Sequence, residues 1–186
     1  WMYLLEGPYR RGTNGTERSS IVAARPALNV KKSGPNAGLG IPYEPMLVIR
    51  AQSQLLKDAD KLAFSKPYRF DIVDVQRQMM TNLGQLVHKK AAEAFASKDK
   101  AAFGLHSGRF LELLRDMDEL LYTRSEYSFD RWLTEARSWG ETKEEKDLME
   151  RDATSLVTIW GADGDPRIFD YSWREWAGLI NGYYLP

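Results

Sequence analysis

Residues 70–95 read FDIVDVQRQMMTNLGQLVHKKAAEAF, and this stretch decides the fold. Its apolar residues recur mostly at steps of three and four, at Phe70, Val73, Met80, Leu83, Val87, Ala91 and Phe95. A helix with about 3.6 residues per turn places side chains at this spacing on one face. The stretch therefore predicts a long amphipathic helix with a continuous apolar stripe.

Helical signals continue on both sides of this stretch. We expect one helix from Pro45 to Leu62, because proline is well placed in a first helical turn. Apolar residues at helical spacing predict another helix over residues 102–121. Farther along, aromatic and apolar residues predict a last helix that begins near Ser172.

Two shorter helices are predicted from their capping residues. Ser128 has a side-chain oxygen that can accept a backbone N–H at the start of a helix. Thr142 and Glu145 have the spacing of a capping box. No segment shows the period of two that is typical of a strand. The predicted fold is all-α, an antiparallel helical bundle with short links.

The N-terminal part of the chain has a different composition. Residues 7–45 are dense in Gly, Pro, Ser and Asn, and Ile21-Val22 is their only pair of adjacent large apolar residues. Structureless segments of this length are uncommon unless they are functional or lie against something else. We therefore predict an irregular segment over residues 1–45 and a helical domain over residues 46–186. Both ends are apolar, so we expect the chain to be cut at each end, with the domain truncated at its C-terminus.

Composition argues against several classes of function. Lysine plus arginine and aspartate plus glutamate both number 26, so no net charge attracts nucleic acid or an anionic membrane. No apolar run reaches the ~20 residues that span a bilayer. The chain has no cysteine, which excludes disulfides, zinc thiolates and a cysteine nucleophile. The two histidines are too few for a metal site or a triad, and we expect no metal and no cofactor.

Carboxylate groups are the first candidates for acid and base chemistry. We expect Asp116, Asp118 and Glu119 on a solvated helix face. Asp71 is expected in the first turn of the long helix, where negative charge is favoured. Asp74 is spaced to pair with Arg77 or Gln78. A structural role is therefore the better interpretation of Asp71 and Asp74.

Aromatic residues crowd into residues 160–186, at Trp160, Phe169, Tyr171, Trp173, Trp176, Tyr183 and Tyr184. Such rings fill cores, and they also stack on the apolar face of a sugar. We expect core packing for most of them. Trp160 and Tyr171 differ, because they flank a turn rich in Gly, Asp and Pro, where side chains face a neighbour or ligand.

Four blocks of the sequence resemble, in the same order, the C-terminal helical domain of the α-N-acetylglucosaminidases, glycoside hydrolase family 89. They are residues 70–78, 132–137, 156–161 and 170–184, and the last block is the most specific. The resemblance extends over the whole chain.

The resemblance implies a retaining exo-hydrolysis of terminal α-linked N-acetylglucosamine. Two glutamates of a (β/α)8 barrel, which precedes the helical domain, perform it in the family, as retaining chemistry requires. Because this chain matches only the region after the barrel, we expect no catalytic residue in it. Residues 1–45 would then pack on the missing barrel. The family also implies a secreted, periplasmic or lysosomal setting.

The same resemblance implies a substrate-binding role for Trp160, Asp170 and Tyr171. Trp160 would be a stacking wall of the sugar pocket. Asp170 or Tyr171 would form hydrogen bonds in the pocket or support its walls. The expected partners are the barrel of the same chain and the terminal N-acetylglucosamine of a glycan, with no nucleic acid and no membrane.

Two other functions are compatible with the residues. A free-standing helical module would use the aromatic face for protein docking. An autonomous carbohydrate-binding module would bind N-acetylglucosamine by itself.

Overall fold

The computed structural model describes residues 1–9, 19–34, 37–160, 169–170 and 173–186. The chain divides into two compact units, which are described separately. The first unit comprises Trp1–Arg18 and Gly40–Leu113, and the second comprises Ser19–Leu39 and Leu114–Pro186. Helices dominate both units, which confirms the predicted all-α class.

The first unit contains the longest helices. In chain order they are α1 (Met2–Glu6), α2 (Met46–Lys57), α3 (Ala59–Leu62), α4 (Lys66–Ala96) and α5 (Lys100–Tyr122), the last of which continues into the second unit. Helix α2 packs against both α1 and α4. Their shared core consists of Leu4, Val48, Ala51 and Val75, with Tyr3, Tyr43, Leu55 and Met79 packed around it. Burial of these apolar side chains is the main force that holds the three helices together.

The predicted stripe of α4 is only partly buried. Val73 and Ala91 are buried, as the spacing predicts. Leu83 and Phe95 also belong to the predicted apolar stripe, but they are 51% and 56% exposed. Periodicity reports that a segment is helical, but it does not say which part of its face the neighbouring helices cover.

Asp71 and Asp74 of α4 were predicted to have structural roles, and the structure corrects one detail of that prediction. Helix α4 begins at Lys66, so Asp71 lies beyond the first turn in which it was expected. Asp74 accepts two hydrogen bonds from Arg77, at 3.0 Å from Nε and 2.8 Å from Nη2, which confirms the expected pairing.

The second unit is built on a helical hairpin. Its elements are a short antiparallel pair, β1 (Lys32–Ser33) and β2 (Ala37–Gly38), a 3₁₀ turn (Ser125–Tyr127), α6 (Phe129–Arg137), α7 (Lys143–Val157) and a π-helical turn (Ile180–Tyr184). Helices α6 and α7 pack together, and Trp132 Nε1 of α6 donates to the Ala153 carbonyl of α7 at 3.0 Å. The core consists of Ala23, Val157, Leu179 and Tyr184, with Phe129, Trp132, Trp173, Trp176 and Tyr183 around it.

Both predicted helix caps are confirmed. The Ser128 side chain accepts from the Arg131 N–H at the start of α6. At the start of α7, Thr142 Oγ1 accepts from the Glu145 N–H, and the Glu145 carboxylate accepts from the Thr142 N–H. Each bond occupies a backbone donor that the first helical turn leaves unpaired.

The predicted last helix was wrong in its position. Ser172 lies outside the described residues, and residues 173–176 are not helical. Trp173 has a φ of 31°, and Ala177 exchanges backbone hydrogen bonds with the chain around Ser128. Helical structure starts only after Gly178 and takes the form of the π-helical turn. Aromatic spacing predicted a helix here because it does not register these contacts with residues distant in sequence.

Asp118 also differs from its prediction. It was expected on a solvated face, but it is only 6% exposed. One carboxylate oxygen, Oδ1, accepts from the N–H of Gly178 at 2.8 Å and of Asn181 at 3.1 Å. Asp118 therefore satisfies backbone donors at the start of the π-helical turn.

Within the described residues, no helix is both long and apolar enough to cross a membrane. The same part of the chain contains no cluster of three or more His, Cys, Asp or Glu side chains arranged for a metal ion. The predicted division at residue 45 stays a prediction.

Candidate functional site

Trp160 lies just beyond the C-terminal end of α7. Its N–H donates to the Ser155 carbonyl at 2.7 Å, which closes the last turn of the helix. Its φ of 38° falls in the left-handed region, which costs a non-glycine residue about 1–2 kcal/mol. The residue is 38% exposed, so part of this large side chain faces outward. Strained residues of this kind cluster at binding sites, where the surrounding structure holds them in place.

One hydrogen bond brings Asp170 back to the end of α7. The Asp170 N–H donates to the Thr158 carbonyl at 2.6 Å, two residues before Trp160. The structure therefore places two of the three predicted substrate-binding residues at one junction. Tyr171, the third, lies outside the described residues.

The Asp170 side chain is almost completely buried, with 1% of its surface exposed. Its Oδ2 accepts from Arg25 Nε at 2.9 Å, and its Oδ1 accepts from Tyr184 Oη at 3.2 Å. Both carboxylate oxygens are thus engaged within the chain. A buried carboxylate needs such partners, because an unpaired one loses its hydration without compensation.

Arg25 makes further contacts around the carboxylate. Its Cζ lies 3.9 Å from the centroid of the Phe169 ring, a close cation–π contact. Its Nη2 lies 3.5 Å from Tyr183 Oη, at the outer limit of a hydrogen bond. The side chain of Arg25 is 40% exposed, so it covers the buried Asp170 from the outside. We call Arg25, Phe169, Asp170, Tyr183 and Tyr184 the Asp170 cluster.

Burial and charge act in opposite directions on the acid of this cluster. Burial raises the pKa of Asp170 above its usual range, while the nearby Arg25 charge and hydrogen bonds from Arg25 and Tyr184 oppose the rise. The pKa of Tyr184 is also raised, first by burial and then by the negative charge of Asp170. Tyr184 therefore stays a neutral hydrogen-bond donor at physiological pH.

Gly34 fits closely against the backbone of Asp170. It has a φ of 64°, and a Cβ at this position would lie 2.7 Å from the Asp170 carbonyl oxygen. The same atom would lie 3.2 Å from Cε3 of Trp173. Only glycine combines this backbone conformation with this approach.

The sequence analysis missed Arg25 and Gly34. Arg25 is 145 residues away from Asp170, so no local spacing pattern links them. A weak signal did exist, because an aspartate in an aromatic block requires a cation or several donors if it is buried. That requirement predicts that a partner exists, but it does not name one among the 26 basic residues of the chain.

Comparison with known proteins identifies the family of this chain. A family model for the C-terminal domain of α-N-acetylglucosaminidase (NAGLU) matches residues 1–186. Human α-N-acetylglucosaminidase is 34% identical over 191 residues, which cover 100% of this chain and 24% of the human protein.

Solved structures give the same result. A family 89 glycoside hydrolase from Clostridium perfringens, in complex with PUGNAc, matches with a TM-score of 0.94 at 29% identity. A doubly substituted variant from that organism, in complex with its substrate GlcNAc-α-1,4-galactose, matches with a TM-score of 0.93, also at 29% identity. Each match covers 100% of this chain and 22% of the other.

This chain thus spans about a quarter of the length of the relatives it matches. The resemblance seen in the four sequence blocks is confirmed. The chain belongs to the family of α-N-acetylglucosaminidase C-terminal domains.

Proposed function

We propose that this chain is the accessory helical domain of a retaining exo-α-N-acetylglucosaminidase. It contributes part of the wall of the sugar pocket and no catalytic glutamate, and a (β/α)8 domain of the same protein supplies the reacting acids. The proposal rests on family membership over the whole chain and on the substrate named for the Clostridium perfringens relative. Residues 1–45 would lie against that catalytic domain, and residues 46–186 would form the helical domain.

The observation that carries the pocket role is the backbone of Trp160. A partly exposed tryptophan in a left-handed conformation is unfavourable unless its position serves a purpose. An indole ring offers a flat apolar surface for the C–H face of a pyranose, and its edge N–H can donate to a hydroxyl. Trp160 is therefore assigned as the stacking wall.

Asp170 and Tyr171 have different roles in the proposal. Asp170 is buried and both of its oxygens have partners, so its role is to support the junction and not to touch the sugar. Tyr171 follows directly in the chain and supplies the hydrogen-bonding group. Neither acts as the acid or base of the reaction, because that task needs a carboxyl group within reach of the glycosidic oxygen or anomeric carbon.

The test is Trp160→Ala in the complete enzyme that carries this domain. Loss of a buried apolar contact worth about 1.5–3 kcal/mol predicts a fall of roughly tenfold to a hundredfold in kcat/KM on an aryl α-N-acetylglucosaminide. The melting temperature is expected to fall much less in proportion. The matched control is Trp139→Ala, which removes a tryptophan that is 83% exposed in the link between α6 and α7.

Two results would contradict the proposal. An equal loss of stability and activity in the Trp160 variant would make this residue part of the core. Hydrolysis of the same substrate by the isolated 186-residue chain would mean that the reacting acids lie within it.

A further inference from the structure

We propose that Arg25 is a positioning residue for the sugar pocket: by clamping Asp170 and Phe169 it holds the junction that carries Trp160 in the conformation that binds substrate. The inference rests on the proposed function. It adds a residue from an N-terminal loop that none of the sequence blocks of the family resemblance contains.

The backbone of Asp170 is the point through which Arg25 acts. Asp170 has a left-handed φ of 52°, donates its N–H to Thr158 and accepts the Trp173 N–H at 3.2 Å. Its conformation therefore sets both the return of the chain to the end of α7 and the backbone contact with Trp173. A change at Asp170 is thus expected to change the setting of Trp160.

The Asp170 side chain depends on Arg25. Without the guanidinium, the carboxylate loses its only charged partner among the described contacts and keeps neutral donors, the hydroxyls of Tyr184 and Tyr183. A carboxylate in that position either becomes protonated or moves toward water. Movement of the side chain would rotate a backbone that is already in a disfavoured region.

The chemistry of arginine fits this clamp better than that of lysine. One guanidinium donates through Nε to Asp170, and its Cζ lies 3.9 Å from the centroid of the Phe169 ring. A lysine ammonium keeps the charge, but it is a compact point donor without a flat face. Lysine at position 25 is thus expected to neutralise Asp170 without fixing Phe169 beside it.

Exposure separates this role from ordinary core packing. Arg25 is 40% exposed on its side chain, so its removal does not open a cavity of the size that a buried residue leaves. If Arg25 matters only for stability, its loss reduces the amount of folded enzyme and leaves the Michaelis constant of the remaining enzyme unchanged. If Arg25 positions the pocket, the Michaelis constant itself changes.

The experiment measures kcat, KM and melting temperature for Arg25→Met and Arg25→Lys in the complete enzyme, with an aryl α-N-acetylglucosaminide as substrate. We expect KM to rise about tenfold in Arg25→Met, with kcat per folded enzyme within about twofold of the parent. Arg25→Lys is expected to recover most of the melting temperature but not the KM.

Arg137→Met is the matched control. Arg137 lies in the same unit, is 35% exposed and has its Nη1 2.8 Å from Asp147 Oδ1, a pair of similar length to that of Arg25. It belongs to α6, and none of its described contacts is with the Asp170 cluster. Its KM is expected to stay unchanged.

An unchanged KM in both Arg25 variants would overturn the inference, and so would full recovery of KM by Arg25→Lys. If Arg25→Met gives no folded enzyme, Arg25→Lys is judged by the same KM criterion. Trp160→Ala, measured in parallel, separates the two proposals. An effect of Trp160 without one of Arg25 rejects only the clamp, whereas an effect of Arg25 without one of Trp160 rejects the stacking wall.

Discussion

Two arginine–carboxylate groups in the second unit have nearly the same geometry and different surroundings. Arg25 Nε lies 2.9 Å from Asp170, and Arg137 Nη1 lies 2.8 Å from Asp147 and also contacts Glu150. The side chain of Asp170 is 1% exposed, whereas those of Asp147 and Glu150 are 45% and 40% exposed. The two pairs have nearly the same length, so length does not distinguish them. The comparison teaches that the burial of the acid decides how strongly the folded state depends on an ion pair.

Water explains the difference. Around Asp147 and Glu150, solvent screens the charges and can replace either partner, so such pairs contribute little to folding. Around Asp170, whose side chain is 1% exposed, solvent screens the charge far less. Loss of the cation leaves an uncompensated charge there, which is far more unfavourable than the pair itself is favourable.

The largest effect is expected from Arg25→Met in this chain. We predict a loss of about 3 kcal/mol in the free energy of unfolding, somewhat less than for a fully buried pair because Arg25 is partly exposed. Urea unfolding followed by tryptophan fluorescence measures it. The double variant Arg25→Met with Asp170→Asn is expected to recover much of the loss, since no charge is then buried. No recovery would show that the arginine acts through packing alone.

Gly34→Ala is expected to come next. A Cβ would lie 2.7 Å from the Asp170 carbonyl in a backbone that disfavours it, so we predict a loss of about 2 kcal/mol in unfolding free energy. Gly182→Ala is the control, because a Cβ there meets nothing within 4 Å. Equal unfolding midpoints for the two variants would argue against a tight fit between Gly34 and the Asp170 cluster.

Thr142→Ala tests the other side of the comparison, the α6–α7 hairpin. Removal of the N-cap oxygen of α7 leaves the Glu145 N–H to water, and we predict a loss of about 1 kcal/mol. The readout is the urea midpoint of unfolding. The control is Thr134→Ala at an exposed position inside α6, which is expected to change stability little. A loss in Thr142→Ala as large as that from Arg25→Met would reverse the ranking of the two regions.

The smallest effect is on the pH dependence of stability, and its sign differs between the two acids. Burial raises the pKa of Asp170, so this carboxyl group binds a proton more tightly in the folded chain than in the unfolded chain. The contribution of Asp170 to stability therefore decreases as pH rises. Hydrogen bonds from Lys143 and Arg137 lower the pKa of Asp147, so its contribution is present above its usual pKa and is lost as pH falls.

Unfolding of Asp170→Asn and Asp147→Asn over roughly pH 3 to 7 tests this prediction. Relative to the parent, Asp170→Asn is expected to gain stability with rising pH, and Asp147→Asn is expected to lose it. Slopes of the same sign would mean that Arg25 outweighs the burial of Asp170.

The sequence predicted local features well and distant contacts poorly. The caps at Ser128 and Thr142 and the pair Asp74–Arg77 depend on residues within four positions of each other, and all are as expected. Such contacts are determined by helical geometry once the helix is assigned.

Long-range pairings account for the errors. The buried role of Asp118 and the non-helical backbone of residues 173–176 depend on partners about 50 to 60 residues away. At the candidate site, the aromatic block identified Trp160 and Asp170, but the partner of Asp170 comes from the other end of the sequence. No periodicity within a helix or turn carries that information.

The hydrogen bond between Asp170 and Thr158 has a consequence for how this domain can change over evolution. It ties together the two ends of the segment formed by residues 159–169, so the helical hairpin does not depend on that segment's length. Each doubling of a loop adds only about 0.6 kcal/mol of closure entropy. A lineage can therefore change the number of residues between Trp160 and Phe169 while α6 and α7 keep their register.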